Sequence, residues 1–227
     1  ARTGVAVEVK TIDSTDEMQQ LLRAAPQSYD VIIIEESAIQ DLRERRLLYP
    51  LDKSKLPHLA ANIDPQYLNP ACDPGSIYSV PYLWGTTLIA YRKDRFPTPP
   101  QESVALLFDP SVKGKISLLD ERNEVYMMML LKLGVMPATA GADNFGAASE
   151  LLNELIVKRE ARFGSDNEMK EHLLSGESSV AMMYSGDAAL IAQENPNIAY
   201  FIPQEGATIW VDFFAIPRDT SRPELAH

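Results

Sequence analysis

A chain of 227 residues with 45% hydrophobic content is long enough for one large domain or two small lobes with a substantial core. Its formal net charge of −11 excludes nucleic acid as an expected partner, because phosphate binding needs clustered Lys and Arg, and leaves room for a cationic ligand. A single cysteine, Cys72, excludes an internal disulfide, and three scattered histidines, His58, His172 and His227, offer no metal-ligand pair at i, i+4 spacing and no nucleophile and base set.

Val5, Val7 and Val9 alternate with Ala6, Glu8 and Lys10, which predicts a half-buried strand. Ser14, Thr15, Asp16 and Glu17 form a capping box opening a helix to about Ala24. Residues 29–34 are nearly all apolar and read as a strand covered on both faces, so strand, helix and strand predict a parallel βαβ unit. Ser37 is positioned to cap the next helix, whose far end carries Arg43, Arg45 and Arg46, suited to the negative end of the helix dipole. Residues 50–81, rich in Pro, Asn and Asp, predict a long surface excursion with single helical turns.

Residues 84–91 and 115–119 read as strands, and residues 124–133 as a helix closed by Gly134. Residues 147–157 carry apolar residues at helical spacing, and Ser165 to Glu168 is a second capping box, opening a helix that ends at Gly176. Residues 180–184 predict a strand, 187–193 a short helix, and 199–202 and 208–216 two further strands. Strands that keep alternating with helices are an α/β signature, and no internal repeat interrupts them.

The chemistry concentrates at strand ends. Trp210 and Asp212 lie two residues apart in an apolar run, where period-2 geometry puts an indole and a carboxylate on one face. Asp187 follows Tyr184, and Asp120, Glu121 and Glu124 follow the apolar run 116–119. Carboxylates spaced along a trough with aromatic walls suit a molecule whose ammonium groups are joined by apolar linkers. Each residue also has a plainer reading. Trp210 and Tyr184 could belong to the core, Asp187 could cap a helix, Glu121 and Glu124 could decorate a helix N-terminus, and Glu35 could be a solvated loop residue.

A set of ordered blocks resembles the spermidine/putrescine-binding proteins of polyamine ABC importers, members of the type II periplasmic-binding-protein family. Among them are Tyr29-Asp30-Val31-Ile32-Ile33, Asn62-Ile63-Asp64-Pro65, Tyr78-Ser79-Val80-Pro81-Tyr82-Leu83-Trp84-Gly85-Thr86, Tyr184-Ser185-Gly186-Asp187 and Trp210-Val211-Asp212 followed by Ala215-Ile216-Pro217. The resemblance implies an α/β, two-lobed fold in which lobe one (residues 1–86 and 212–227) is incomplete and lobe two comprises residues 87–211. It implies capture of putrescine or spermidine between the lobes for uptake by an ABC transporter membrane permease, in the periplasm or another extracytoplasmic compartment. Trp210 would stack on the methylene chain and Asp212 would take an ammonium, with Asp187, Tyr184, Glu124, Glu121 and Glu35 as further ligand-binding positions. Tyr184 stands where the family usually has a tryptophan, Asp187 matches an acid of putrescine-preferring members, and Glu121 falls where spermidine-preferring members have an aspartate.

The departures from the family lie at residues 35–38, where Glu35 replaces an expected serine and Ser37 an expected tyrosine, and at both ends of the chain. An exposed apolar surface on lobe one is expected there, able to support a homodimer. A ligand-sensing domain of a membrane signalling protein, with the same fold and an altered ligand, is the alternative. No stretch approaches the roughly 20 apolar residues of a membrane span. The N-terminus lacks the charged and apolar regions of an export signal, so any signal or anchor is expected to lie outside this chain. Paired acids could suggest a glycosidase dyad, yet no glycine-rich phosphate loop follows a strand and no Gly-x-Ser-x-Gly elbow occurs. No catalytic residue, metal ligand or cofactor is expected.

Overall fold

The computed structural model describes residues 4–12, 15–25 and 27–227. In chain order the first elements are α1 (Thr15–Ala24), β1 (Ile32–Glu35), α2 (Glu36–Glu44), α3 (Leu59–Asn62), β2 (Ser79–Arg92), β3 (Ile116–Leu119) and α4 (Arg122–Lys132). There follow α5 (Ala142–Val157), β4 (Arg162–Gly164), α6 (Asp166–Ser175), β5 (Val180–Tyr184), α7 (Ser185–Glu194), β6 (Ile198–Phe201), β7 (Ile209–Ala215) and α8 (Pro223–Ala226). The chain divides into two compact units, Ala1–Trp84 with Trp210–His227, and Gly85–Ile209. The chain passes from one to the other within β2 and again at the start of β7.

In the first unit, β1 runs antiparallel to β7, with Ile32 opposite Ala215 and Glu35 opposite Asp212. Alternation sends Val211, Phe213 and Ala215 to the buried face of β7, together with Ile32 and Ile34 of β1. Against that face α2 lays Ala38, Ile39 and Leu42 and α1 lays Met18 and Leu22, forming one apolar cluster. Each large side chain withdrawn from water here contributes roughly 1.5–3 kcal/mol. The opposite face of β7 carries Trp210, Asp212 and Phe214, each only half buried. Tyr82 packs on Phe214 from β2 with ring centroids 4.2 Å apart.

Three expectations for this unit are corrected. Residues 4–12 form no strand: Val7 and Val9 are 81% and 84% exposed, since alternation alone supplies no partner to pair with. The apolar run 29–34 yields only the short β1, paired antiparallel rather than in a parallel βαβ unit, and it is open on one face, where Ile33 is 51% exposed. Ser37 does not cap α2; Glu35 is the flanking residue, and the Ser37 hydroxyl instead donates to the Glu35 carboxylate at 3.2 Å. The capping box read at Ser14 lies outside the described residues, although the helix it announced runs over Thr15–Ala24.

Residues 50–78 form an irregular excursion with short helical turns, of which α3 is the longest, but β2 begins at Ser79, so residues 79–81 belong to the strand and not to the excursion. It is anchored by a carboxylate that sequence reading passed over. Asp73, 1% exposed, accepts from the backbone N–H groups of Ile77, Tyr78 and Ser79 and from the Ser79 hydroxyl at 2.8–3.2 Å, fixing the entry to β2.

In the second unit, residues 87–92 of β2 lie between β5 and β6, antiparallel to both, while β3 is parallel to β5 and β4. β3 and almost all of β5 are buried on both faces. Helices supply the cover: Val125 and Met129 from α4, Leu155 from α5, Leu173 from α6 and Ile191 from α7. Ser165 caps α6 in a reciprocal pair with Glu168, and Gly176 at φ 81° ends it in the left-handed conformation that glycine tolerates. The strand β4 was not foreseen, and α5 begins at Ala142, earlier than its apolar spacing suggested. Among the described residues no helix is long and apolar enough to cross a membrane, and no group of three or more His, Cys, Asp or Glu could hold a metal ion.

Candidate functional site

Of the acidic and aromatic side chains singled out in the sequence, the first unit holds Glu35, Trp210 and Asp212 and the second holds Glu121, Glu124, Tyr184 and Asp187. In the first unit, strand pleating places Trp210 and Asp212 on the same face of β7, and register places Glu35 of β1 opposite Asp212. Glu35 is exposed and Asp212 half buried. No Lys or Arg pairs with either carboxylate among the described residues, and the Ser37 hydroxyl is the donor that reaches Glu35. Burial, and second the negative charge of Glu35, push the Asp212 carboxyl up to about 6. A buried acid facing another acid is short of positive charge, and an ammonium placed between them would relieve both effects.

In the second unit, Glu124 is the third residue of α4 and points toward the sheet rather than into solvent. Its carboxylate accepts from the Thr87 hydroxyl at 2.5 Å and from the Thr208 hydroxyl at 3.0 Å. Thr87 stands opposite Tyr184 in the pairing of β2 with β5, and the Thr86 hydroxyl donates to the Thr208 carbonyl at 2.7 Å. Two neutral donors orient the Glu124 carboxylate, and among the described residues no Lys or Arg neutralises it.

Asp187 differs. It is not the helix cap that its glycine neighbour suggested but the third residue of α7, and it accepts from the Lys170 ammonium of α6 at 3.0 Å. Tyr184 is the residue flanking α7, half buried against the core of this unit. Glu121 flanks α4 and is exposed, so the structure separates it from the inward-facing Glu124 three residues on. Sequence reading missed Thr87, Thr208 and Lys170. Thr87 and Thr208 lie in segments that were read as strands, but nothing local marks their hydroxyls as partners of a carboxylate far away in the chain. For Lys170 the i, i+4 relation to Asp166 was visible, whereas the contact with Asp187 joins two helices.

Comparison with known proteins adds an independent line. The bacterial extracellular solute-binding protein family matches residues 1–227. The spermidine/putrescine-binding periplasmic protein of Escherichia coli is 32% identical over 225 residues, 99% of this chain and 64% of that protein. A putrescine-binding periplasmic protein of the same organism is 30% identical, over 99% of this chain and 65% of its own length. Among solved structures, a spermidine/putrescine ABC transporter substrate-binding protein from Streptococcus pneumoniae superposes with a TM-score of 0.84 at 30% identity, covering 99% of this chain and 68% of that one. The chain thus spans about 64% of the length of the curated relatives it matches.

Proposed function

The chain belongs to the bacterial extracellular solute-binding protein family, and from that premise we propose that it captures a polyamine, putrescine or spermidine, for uptake through an ABC transporter membrane permease. Its fold is the α/β, two-lobed fold of type II periplasmic binding proteins, of which it spans about two thirds. It is a solute-binding protein of a transport class, which is not an enzyme family. In this reading the units Ala1–Trp84 with Trp210–His227, and Gly85–Ile209, are lobe one and lobe two. The place of action is periplasmic or otherwise extracytoplasmic.

The observation that carries the polyamine reading is the set of carboxylates without cationic partners. Asp212 and Glu35 in the first unit and Glu124 in the second face no Lys or Arg among the described residues, while Trp210 shares the face of Asp212. An ammonium meeting a half-buried carboxylate gains a charge-assisted hydrogen bond, and the methylene linker gains contact with the indole. In the second unit, Tyr184, Glu121 and Asp187 are assigned as further ligand-binding positions. The exposed apolar residues Ile33 and Tyr82 beside Phe214 support a further proposal, self-association through this unit.

Thermal shift with putrescine, cadaverine, spermidine and spermine, against lysine and arginine as controls, tests the reading. A ligand at 100 times its Kd adds about 2.7 kcal/mol to stability. A rise in Tm with at least one polyamine and none with the amino acids is expected; flat curves for all polyamines at millimolar concentration would overturn the function.

A further inference from the structure

The end of α2 carries arginines that polyamine capture leaves unused. The helix closes with two hydrogen bonds, from the Arg46 N–H to the Arg43 carbonyl and from the Leu47 N–H to the Leu42 carbonyl, both at 2.9 Å, a closure that puts residue 46 in the left-handed region. Glycine usually stands there because a side chain is conformationally costly, yet this chain has Arg46, at φ 57°. Just beyond, the Tyr49 N–H donates to the Ile216 carbonyl and the Arg218 N–H to the Leu47 carbonyl, both at 2.8 Å, tying residues 47–49 to 216–218. Arg43, Arg46 and Arg218 line one cavity of about 520 Å³ within the first unit, together with Tyr49, Tyr78 and Asp219.

The helix dipole accounts for Arg43 in the last turn of α2, and Arg45 pairs with Asp41 at 2.7 Å. Neither accounts for Arg218, which arrives from the other end of the chain. Among the described residues Arg43, Arg46 and Arg218 make no ion pair, and the hydroxyls of Tyr49 and Tyr78 make no hydrogen bond. Three guanidinium groups beside the one carboxylate of Asp219 leave an excess of two positive charges, in a chain whose net charge is −11. We propose that this cavity is a binding site for a phosphomonoester. Such a group carries a charge of about −1.5 to −2 and three acceptor oxygens, which suits three planar guanidinium forks, whereas a carboxylate offers two oxygens and a single charge. The volume falls in the range of small-molecule sites, roughly 300–1,000 Å³, and exceeds what a bare phosphate fills, so the organic part of the ester takes the remaining space beside the two phenol rings. The site stands independently of polyamine binding.

Calorimetry at low ionic strength with glycerol 3-phosphate as the probe, and flotation with phosphatidylcholine vesicles with and without phosphatidic acid, test this on the wild type, Arg46→Gly, Arg218→Gln and Asp219→Asn. One saturable site is expected, for the soluble ester, for the phosphatidic acid headgroup or for both. Arg46→Gly should weaken binding about tenfold, the size of one charge-assisted hydrogen bond, while its fold is kept because glycine suits the left-handed position. Arg218→Gln should weaken it to a similar degree. Asp219→Asn, which removes the one opposing charge, should strengthen it by up to about fivefold. Binding of glycerol 3-phosphate without preference for phosphatidic acid vesicles would assign a soluble ester, and flotation that depends on phosphatidic acid and on Arg46 would assign a lipid headgroup. Absence of binding to either probe at millimolar phosphate, or wild-type affinity in both Arg46→Gly and Arg218→Gln, would overturn the proposal.

Discussion

Asp212 and Glu35 stand directly opposite each other across the antiparallel pair of β7 and β1, with Trp210 on the same face two residues before Asp212. Like charges in such a cross-strand pair destabilise the sheet unless a cation intervenes or one of them stays protonated. The carboxyl of Asp212, pushed up to about 6 by burial and then by Glu35, takes the second course only below about pH 6 when no ligand is bound.

The stability consequence has a definite sign. Between the ordinary aspartate value near 4 and the folded value of about 6, the folded state holds a proton that the unfolded state has released. The contribution is therefore favourable at low pH and is lost as pH rises through about 6. Asp212→Asn should stabilise the ligand-free protein at pH 8 by roughly 1–2 kcal/mol after allowance for screening, and by almost nothing at pH 4. Urea denaturation at the two pH values measures this; an equal effect at both would show that Asp212 is not perturbed.

Ligand binding should follow the opposite trend with pH. An ammonium pairs with ionised Asp212, so affinity should fall as pH drops from 7.5 to 5, and binding near pH 6 should release about half a proton from this group. Calorimetry in two buffers of different ionisation enthalpy reads the proton directly. An affinity and heat independent of buffer and pH would place the ammonium elsewhere.

Thr87 is 2% exposed and its hydroxyl donates to Glu124. Thr87→Val keeps the shape of the side chain and deletes the donor, leaving Thr208 as the one hydroxyl on that carboxylate. The expected loss of stability is about 1.5–3 kcal/mol, typical of a hydrogen bond to a charged group. Amine binding should weaken as well, since Glu124 loses half of what orients it. Chemical denaturation and calorimetry on this one variant check both.

Asp73→Ala should destabilise the first unit by about 3 kcal/mol or more, because three backbone N–H groups lose their acceptor at once. Hydrogen exchange should show the loss over residues 76–80 while β3 and β5 stay protected. Uniform loss of protection would mean that the two units do not unfold separately.

What the sequence disclosed follows the range of the interactions involved. The capping pair of Ser165 and Glu168 and the glycine end at Gly176 are complete within a few residues, so α6 was legible to its ends. The common face of Trp210 and Asp212 needed only the period of a strand. Val5, Val7 and Val9 had the same alternation and form no strand, because pairing depends on a neighbour that the local pattern does not contain. The run 29–34 was misread for a related reason: apolar content cannot say which face of Ile33 will be covered. Contacts that span the chain, Glu124 with Thr87 and Thr208 and Lys170 with Asp187, had no local signal.

The central claim, that the Trp210 and Asp212 face takes an ammonium, is tested most directly by titrating putrescine into the wild type, Asp212→Asn and Glu35→Gln at pH 7.5 by calorimetry. Loss of the charge partner in a half-buried site should cost about 2–5 kcal/mol for Asp212→Asn. For the exposed Glu35 the loss should be about 0–1 kcal/mol. Wild-type and Asp212→Asn proteins of equal affinity would contradict the account and make the Trp210 and Asp212 pairing purely structural.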